Sequence, residues 1–146
     1  MSKVHLLKFP YPYQAALSIC SDIDGTSWED FIFIHKFLNS NQNTIFGQGL
    51  SLPISDSFWM YDLKKNDCSA FSYFSDLEGR KTNYAPAMRE LIHAGILDVL
   101  HSYGNFSAPA DFDRNLAIQA IEELDKFRLK LKVWTNHGGL ESSQNI

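Results

Sequence analysis

The chain has 146 residues, of which 45% are hydrophobic and 21% charged, which is the size and composition of one globular domain. Its formal net charge of −4, without a run of lysine or arginine, gives no electrostatic reason to expect a nucleic-acid partner. No segment has the ~20 apolar residues of a membrane span, and the N-terminus lacks a secretory signal, so we expect a cytoplasmic protein.

The first apolar stretch leads into an acidic cluster. Residues 15–21 predict a strand, and Asp22, Ile23, Asp24 and Gly25 follow it as a turn. Two carboxylates separated by one residue can face the same small volume, where one binds a cation and the other accepts a proton or attacks an electrophile. Aspartates also favour such turns for structural reasons alone.

A helix follows the acidic turn. Thr26 and Glu29 resemble a capping box, and the apolar residues from Trp28 to Leu38 lie mostly on one helical face. The composition then changes, and residues 44–84 are rich in glycine, serine and aromatic residues. This composition predicts an inserted antiparallel or loop-rich segment. Its aromatic residues, Trp59 among them, either stack on a sugar or pack on neighbouring strands.

Two more strand and helix units complete the pattern. Pro86 suits the first turn of a helix that ends near Gly95, and an apolar strand follows at 96–100. Asp111 or Asp113 can cap a third helix, before a last strand at 131–135 in which Trp134 is expected to be a core residue. This alternation predicts an α/β fold with parallel strands and right-handed crossovers.

Polar residues also follow the two later strands. His101, Ser102 and Asn105 come after one strand, and Asn136 and His137 after the next. Because the carboxyl ends of parallel strands share one face, we expect these residues to converge with the acidic turn. Imidazole is both a frequent metal ligand and an effective acid or base at neutral pH. The other three histidines, His5, His35 and His93, are interpreted as structural or surface residues.

With these clusters, the chain resembles the polysaccharide deacetylase superfamily, whose catalytic domain is an irregular (β/α) barrel. Ser21-Asp22-Ile23-Asp24-Gly25 is similar to the acidic motif that follows the family's first strand, and His101-Ser102 to its later histidine motif. Two differences are that Ile23 separates the aspartates, which are usually adjacent, and that Asn105 stands where a second histidine is usual. The resemblance covers only the first half of such a barrel, so we expect residues 1–146 to be a single, C-terminally truncated catalytic domain.

The resemblance implies a metal-dependent hydrolase that removes an acyl group from an amino sugar or glycan. It implies Asp22 as the catalytic base, and Asp24 and His101 as ligands of zinc or a similar divalent ion, with Asn105 as a further ligand. His137 is the candidate general acid. The candidate substrate-binding residues are Ser102, Asn136 and Trp59.

Two other functions compete with this one. Asp22-Ile23-Asp24-Gly25-Thr26 also matches the Asp-x-Asp-Gly-Thr motif of haloacid-dehalogenase-like phosphatases, in which Asp22 would be the nucleophile and magnesium the cofactor. That family leaves His101 and His137 without a role, which favours the deacetylase. The third hypothesis is a glycan-binding domain without catalysis, which would suit the altered motifs.

Overall fold

The computed structural model describes residues 8–17, 19–62, 70–106, 112–137 and 144. Three helices lie within these ranges: α1 (Trp28–Asn39), α2 (Ala85–His93) and α3 (Arg114–Lys126). The strands within these ranges are β1 (Cys20–Ser21), β2 (Asn43–Thr44), β3 (Gly47–Gln48), β4 (Ser55–Tyr61), β5 (Ser72–Phe74), β6 (Leu97–His101) and β7 (Val133–Thr135).

The main sheet is parallel, with the strand order β1-β4-β6-β7. β1 pairs with the start of β4, with Cys20 opposite Ser55, and β6 pairs with the other edge of β4. β5 pairs in parallel with the end of β4, and β2 and β3 form a separate antiparallel hairpin. The predicted α/β class with parallel strands and intervening helices is therefore confirmed.

The interpretation of residues 44–84 as an insertion is wrong for its central part. Residues Ser55–Tyr61 form β4, which is the strand that contacts β1, β5 and β6. Six of its seven residues are buried, because it is covered on both faces. A strand buried on both faces does not show the alternation of apolar and polar residues that marks a half-exposed strand, and this explains the error.

The capping residues in the sequence predict the starts of α1 and α3 to within one residue. Ser27, not Thr26, is the N-cap of α1, and its hydroxyl accepts a hydrogen bond from the Asp30 backbone N–H. Asp113 caps α3 in the same way, while Asp111 lies outside the described residues. The predicted capping box is thus displaced by one residue, since Ser and Thr are both good caps and only the backbone geometry selects between them.

Buried polar side chains fasten the helices to the sheet. The Tyr61 hydroxyl, at the end of β4, donates to Gln119 Oε1 on α3 at 2.6 Å, and the Leu116 carbonyl on the same helix lies 3.0 Å from it as an alternative acceptor. The Tyr73 hydroxyl on β5 donates to Glu123 Oε1, which is also on α3. Burial raises the pKa of Tyr73 to about 12, so this hydroxyl keeps its proton throughout the physiological range.

His35 performs the same task for α1. Its Nε2 lies 3.1 Å from Asp56 Oδ2 on β4, and its Nδ1 lies 2.7 Å from Asn39 Oδ1. Asn39 in turn donates to the carbonyls of Leu52 and Ile54, which lead into β4. The sequence left His35 as either a structural or a surface residue, and the structure shows that it is a structural residue within the core.

The last strand is less covered than the sequence suggested. All three residues of β7 are exposed, and Trp134 is 45% exposed rather than a core residue. Among the described residues, β7 pairs with β6 on one edge only. The helices of the described ranges include none that is long and apolar enough to cross a membrane.

Replacing His35 by alanine should lower the free energy of unfolding by about 3 kcal/mol, because it leaves the buried Asp56 carboxylate without its imidazole partner. The exposed neighbour Lys36, changed to alanine on the same helix, should cost less than ~0.5 kcal/mol. Urea unfolding monitored by circular dichroism gives both values. Equal losses for the two variants would show that the His35–Asp56 pair does not hold α1 to the sheet.

Candidate functional site

Two aspartates and two histidines meet at the carboxyl ends of the parallel strands. Asp22 and Asp24 follow β1, His101 is the last residue of β6, and His137 lies two residues beyond β7. His101 Nδ1 lies 2.9 Å from Asp22 Oδ1 and 3.6 Å from Asp24 Oδ1. His137 Nδ1 lies 3.2 Å from His101 Nε2 and 3.8 Å from Asp24 Oδ2. The structure thus brings together side chains that are up to 115 residues apart in the chain (137 − 22).

The turn after β1 is anchored by its central residue. Ile23 is completely buried, and its backbone N–H donates to the Ser57 hydroxyl on β4 at 3.2 Å. Its carbonyl accepts from the Thr26 N–H, and Gly25 between them has a φ of 71°, which glycine adopts without strain. With Ile23 held in the core, the aspartates on either side of it both face the histidines.

Ser102 connects the ends of β6 and β7. Its backbone has a φ of 50°, an unusual value for a residue other than glycine. Its N–H and its hydroxyl both donate to the Thr135 carbonyl, and the hydroxyl accepts from the His137 N–H at 2.8 Å. These bonds stabilise the unusual conformation and fix the backbone of His137 beside His101. Since Ser102 is completely buried, its hydroxyl positions His137 and does not face the cleft as a substrate-binding group would.

Asn105 lies against the second histidine. Its Oδ1 is 3.3 Å from His137 Nε2, and its amide Nδ2 is 3.5 Å from Asp62 Oδ1. Its backbone N–H donates to the Tyr61 carbonyl, and this bond keeps it at the end of β4. The preceding residue, Gly104, packs so closely on the Tyr61 carbonyl that a side chain would collide with it.

Of the other two candidate substrate-binding residues, Trp59 is buried and Asn136 is exposed. Trp59 is 0% exposed, so its ring is not open to stacking on a ligand. Instead its ring centroid lies 4.9 Å from that of His137 and 5.6 Å from that of His101, and it forms an apolar floor under both imidazoles. Asn136 is exposed, next to His137.

The electrostatics of the site reflect crowding and burial. Burial raises the pKa of Asp24, and the nearby carboxylate of Asp22 raises it further, while the two histidines act in the opposite direction. Burial lowers the pKa of His137, the carboxylate of Asp24 acts in the opposite direction, and the neighbouring imidazole of His101 adds to the lowering. A lowered pKa favours the neutral imidazole, the state that a metal ligand requires.

Four buried side-chain atoms lack a hydrogen-bonding partner among the described residues: Asp24 Oδ1, His101 Nδ1, Trp59 Nε1 and Asp98 Oδ1. Two of them, Asp24 Oδ1 and His101 Nδ1, face each other in the site. His101 Nδ1 makes a close ion-pair contact with Asp22 Oδ1 at 2.9 Å, and it has no hydrogen-bonding partner among the described residues. The two unpaired atoms are 3.6 Å apart, and two ligands of one tetrahedral zinc ion lie about 3.4 Å apart. Two such atoms facing each other fit a shared cation.

A divalent ion therefore fits these residues. Asp24, His101 and His137 each offer one ligand atom, and the three atoms lie within 4.8 Å of one another. Two imidazoles and a carboxylate are donors typical of zinc and similar transition ions, whereas magnesium prefers oxygen ligands. Asp22, whose side chain is 66% exposed, lies beside this group and faces solvent.

A cleft of about 530 Å³ begins at Asp22 and His101 and runs along the face of the sheet. Four of its ten lining residues carry hydroxyls, and an ion pair of Lys132 Nζ with Asp98 Oδ2, at 3.0 Å, lies within it. The lining residues are Ser21, Asp22, Ser55, Ser57, Asp98, Val99, His101, Lys132, Val133 and Thr135. This size suits a small ligand, and the lining offers it both apolar and hydrogen-bonding contacts.

Asp62 and Ser57 are parts of this site that the sequence does not reveal. Ser57 lies in β4 and Asp62 directly follows it, within the range that the sequence predicts to be an insertion, and neither residue lies in a recognisable motif. Only the pairing of β4 between β1 and β6 shows that they lie beneath the converging side chains.

No protein-family model, curated protein or solved structure matches the chain.

We expect zinc to bind this group and to stabilise the fold. At a free zinc concentration of one hundred times the dissociation constant, the free energy of unfolding should rise by about 2.7 kcal/mol. This increase is seen as a higher melting temperature. His101→Ala should abolish this gain because it removes one of the two unpaired atoms, whereas His93→Ala, on the exposed side of α2, should keep it. Thermal unfolding with and without zinc, together with isothermal titration calorimetry, makes the comparison. Zinc binding that survives His101→Ala would place the ion elsewhere.

Proposed function

We propose that this protein is a metal-dependent hydrolase of the carbohydrate deacetylase type, which removes an acyl group from an amino sugar or glycan. The observation that carries the proposal is the meeting of an exposed carboxylate, Asp22, with a partly buried group of one carboxylate and two imidazoles that suits a divalent ion. A solvent-facing base beside a metal group is the arrangement that hydrolysis of an amide by water requires.

In this proposal Asp24 and His101 hold the ion, with His137 as a third donor. A bound zinc-like ion would polarise the acyl carbonyl and make water a better nucleophile. His137 is the general acid predicted from the sequence, but a nitrogen that binds the ion cannot also deliver a proton. His137 is therefore assigned to the metal-binding group.

Asp22 is the base of the proposal. Its carboxylate takes a proton from the attacking water, whose oxygen bonds to the acyl carbon. When the carbon–nitrogen bond breaks, the same carboxyl group can return that proton to the leaving amine, so that acetate and a free amine are formed. One group performs both transfers, and its exposure at the mouth of the cleft lets it reach both atoms.

The cleft supports a carbohydrate as the substrate. The hydroxyls of Ser55, Ser57 and Thr135 can exchange hydrogen bonds with sugar hydroxyls, and Val99 and Val133 offer apolar contacts for the ring. The resemblance to the deacetylase family implies an irregular (β/α) barrel, in which β1, β4, β6 and β7 would be adjacent strands.

The phosphatase hypothesis is weaker on this geometry. A magnesium-dependent aspartyl nucleophile needs oxygen ligands around the ion, whereas here two imidazoles fill the space beside both carboxylates. Glycan binding without turnover requires neither the unpaired atoms nor the exposed base. Both functions are distinguished from the proposal by the experiment below.

Asp22→Asn should reduce acetate release from N-acetylglucosamine oligomers by at least about 100-fold, because the amide cannot accept the proton of water. The zinc content should stay nearly unchanged, since Asp24, His101 and His137 remain. Asp125→Asn, on the exposed side of α3, is the matched control and should keep full activity. Acetate release and metal content are measured on the same zinc-loaded samples.

Three results would contradict the proposal. Equal loss of activity and zinc in Asp22→Asn would remove Asp22 as the base. Hydrolysis of an aryl phosphate with magnesium, lost in Asp22→Asn, would select the phosphatase. Metal-independent binding of the oligomers, without acetate release by the unchanged protein, would select the glycan-binding domain.

A further inference from the structure

We propose that Asn105 is a positioning residue that sets the tautomers of both site histidines, so that His101 turns an unprotonated Nδ1 toward the carboxylates of Asp22 and Asp24. This rests on the metal-dependent function proposed above, but its geometry can be tested without a metal. It gives Asn105 a different role from the ligand role that the sequence predicted.

The orientation of the Asn105 amide follows from its two neighbours. A carboxylate only accepts hydrogen bonds, so the side of Asn105 that faces Asp62 Oδ1, at 3.5 Å, must be its NH₂ group. Its carbonyl oxygen then faces His137 Nε2 at 3.3 Å. Because that oxygen can only accept, His137 must carry its proton on Nε2.

The same reasoning extends to the next ring. A neutral His137 protonated on Nε2 has a bare Nδ1, which can only accept. That Nδ1 lies 3.2 Å from His101 Nε2, so in the metal-free protein His101 is the donor and carries its proton on Nε2. The chain of hydrogen bonds therefore runs in one direction, from His101 through His137 and Asn105 to Asp62.

The end of this chain is the unpaired atom of the site. With its proton on Nε2, His101 has a lone pair on Nδ1, 2.9 Å from Asp22 Oδ1 and 3.6 Å from Asp24 Oδ1. A lone pair beside two carboxylates is unfavourable unless a cation lies among them, and His101 Nδ1 and Asp24 Oδ1 have no hydrogen-bonding partner among the described residues. Asn105 thus prepares the site for a cation although it is on the far side of His137.

The surrounding packing keeps this chain in place. His101 and His137 pack edge to face, with centroids 4.6 Å apart and an angle of 88° between their planes. Trp59 packs beneath both rings, and the Ser102 hydroxyl holds the backbone of His137. Neither ring can turn over without breaking these contacts, so the tautomer is set by the hydrogen-bond chain.

Long-range ¹H–¹⁵N spectra of the histidine side chains, recorded on metal-free protein at pH 8, test the proposal. In the unchanged protein His101 and His137 should both be protonated on Nε2. Asn105→Leu removes the acceptor and should shift His137 toward a mixture of tautomers, with zinc affinity lower by about 10- to 100-fold. Asn105→Asp keeps an acceptor oxygen and should retain the Nε2 proton on His137, and the exposed Asn83→Leu is the matched control that should change neither property.

A proton on Nδ1 of His137 in the unchanged protein would overturn the proposal, whether or not the variants fold. An unchanged His137 tautomer in a folded Asn105→Leu protein would overturn it as well. Failure of the proposed function has a different signature: the unchanged protein would bind no zinc and release no acetate while its histidines still showed the expected tautomers.

Discussion

The parallel pairing of β4 with its neighbours is the constraint on which the site depends. It brings the carboxyl ends of β1, β6 and β7 to one edge, so that the residues just beyond each strand can meet. β4 separates β1 from β6, and therefore the acidic turn reaches His101 across β4. Ser57 anchors this turn to β4, because its hydroxyl accepts a hydrogen bond from the Ile23 N–H.

The site also stores unfavourable interactions that a cation would relieve. Burial and a neighbouring carboxylate raise the pKa of Asp24, and burial lowers the pKa of His137. Two buried polar atoms, Asp24 Oδ1 and His101 Nδ1, face each other without a hydrogen bond to any described residue. Such groups cost stability unless something else compensates, and they concentrate at functional sites. By contrast, the other buried polar pairs of the fold, such as His35 with Asp56 and Tyr73 with Glu123, are hydrogen-bonded and structural.

Three buried residues that surround the site hold its histidines in position. Ser102 fixes the backbone of His137, Trp59 supports both imidazoles, and Asn105 faces the outer nitrogen of His137. None of these three faces the cleft as an exposed recognition group, since each is buried. In the proposed function, substrate recognition falls to the cleft along the face of the sheet, while these three residues position the histidines.

Features that depend on local chemistry could be predicted from the sequence. The helix caps at Ser27 and Asp113, the proline at the start of α2, and the polar residues at strand ends could be read within a residue or two, because neighbours along the chain decide them. Tertiary structure alone decided that β4 is the central strand, that Trp59 lies beneath the histidines and that Asp62 lies beside Asn105. These facts depend on which strands pair and in what register, and such long-range contacts leave no periodic pattern in a strand buried on both faces.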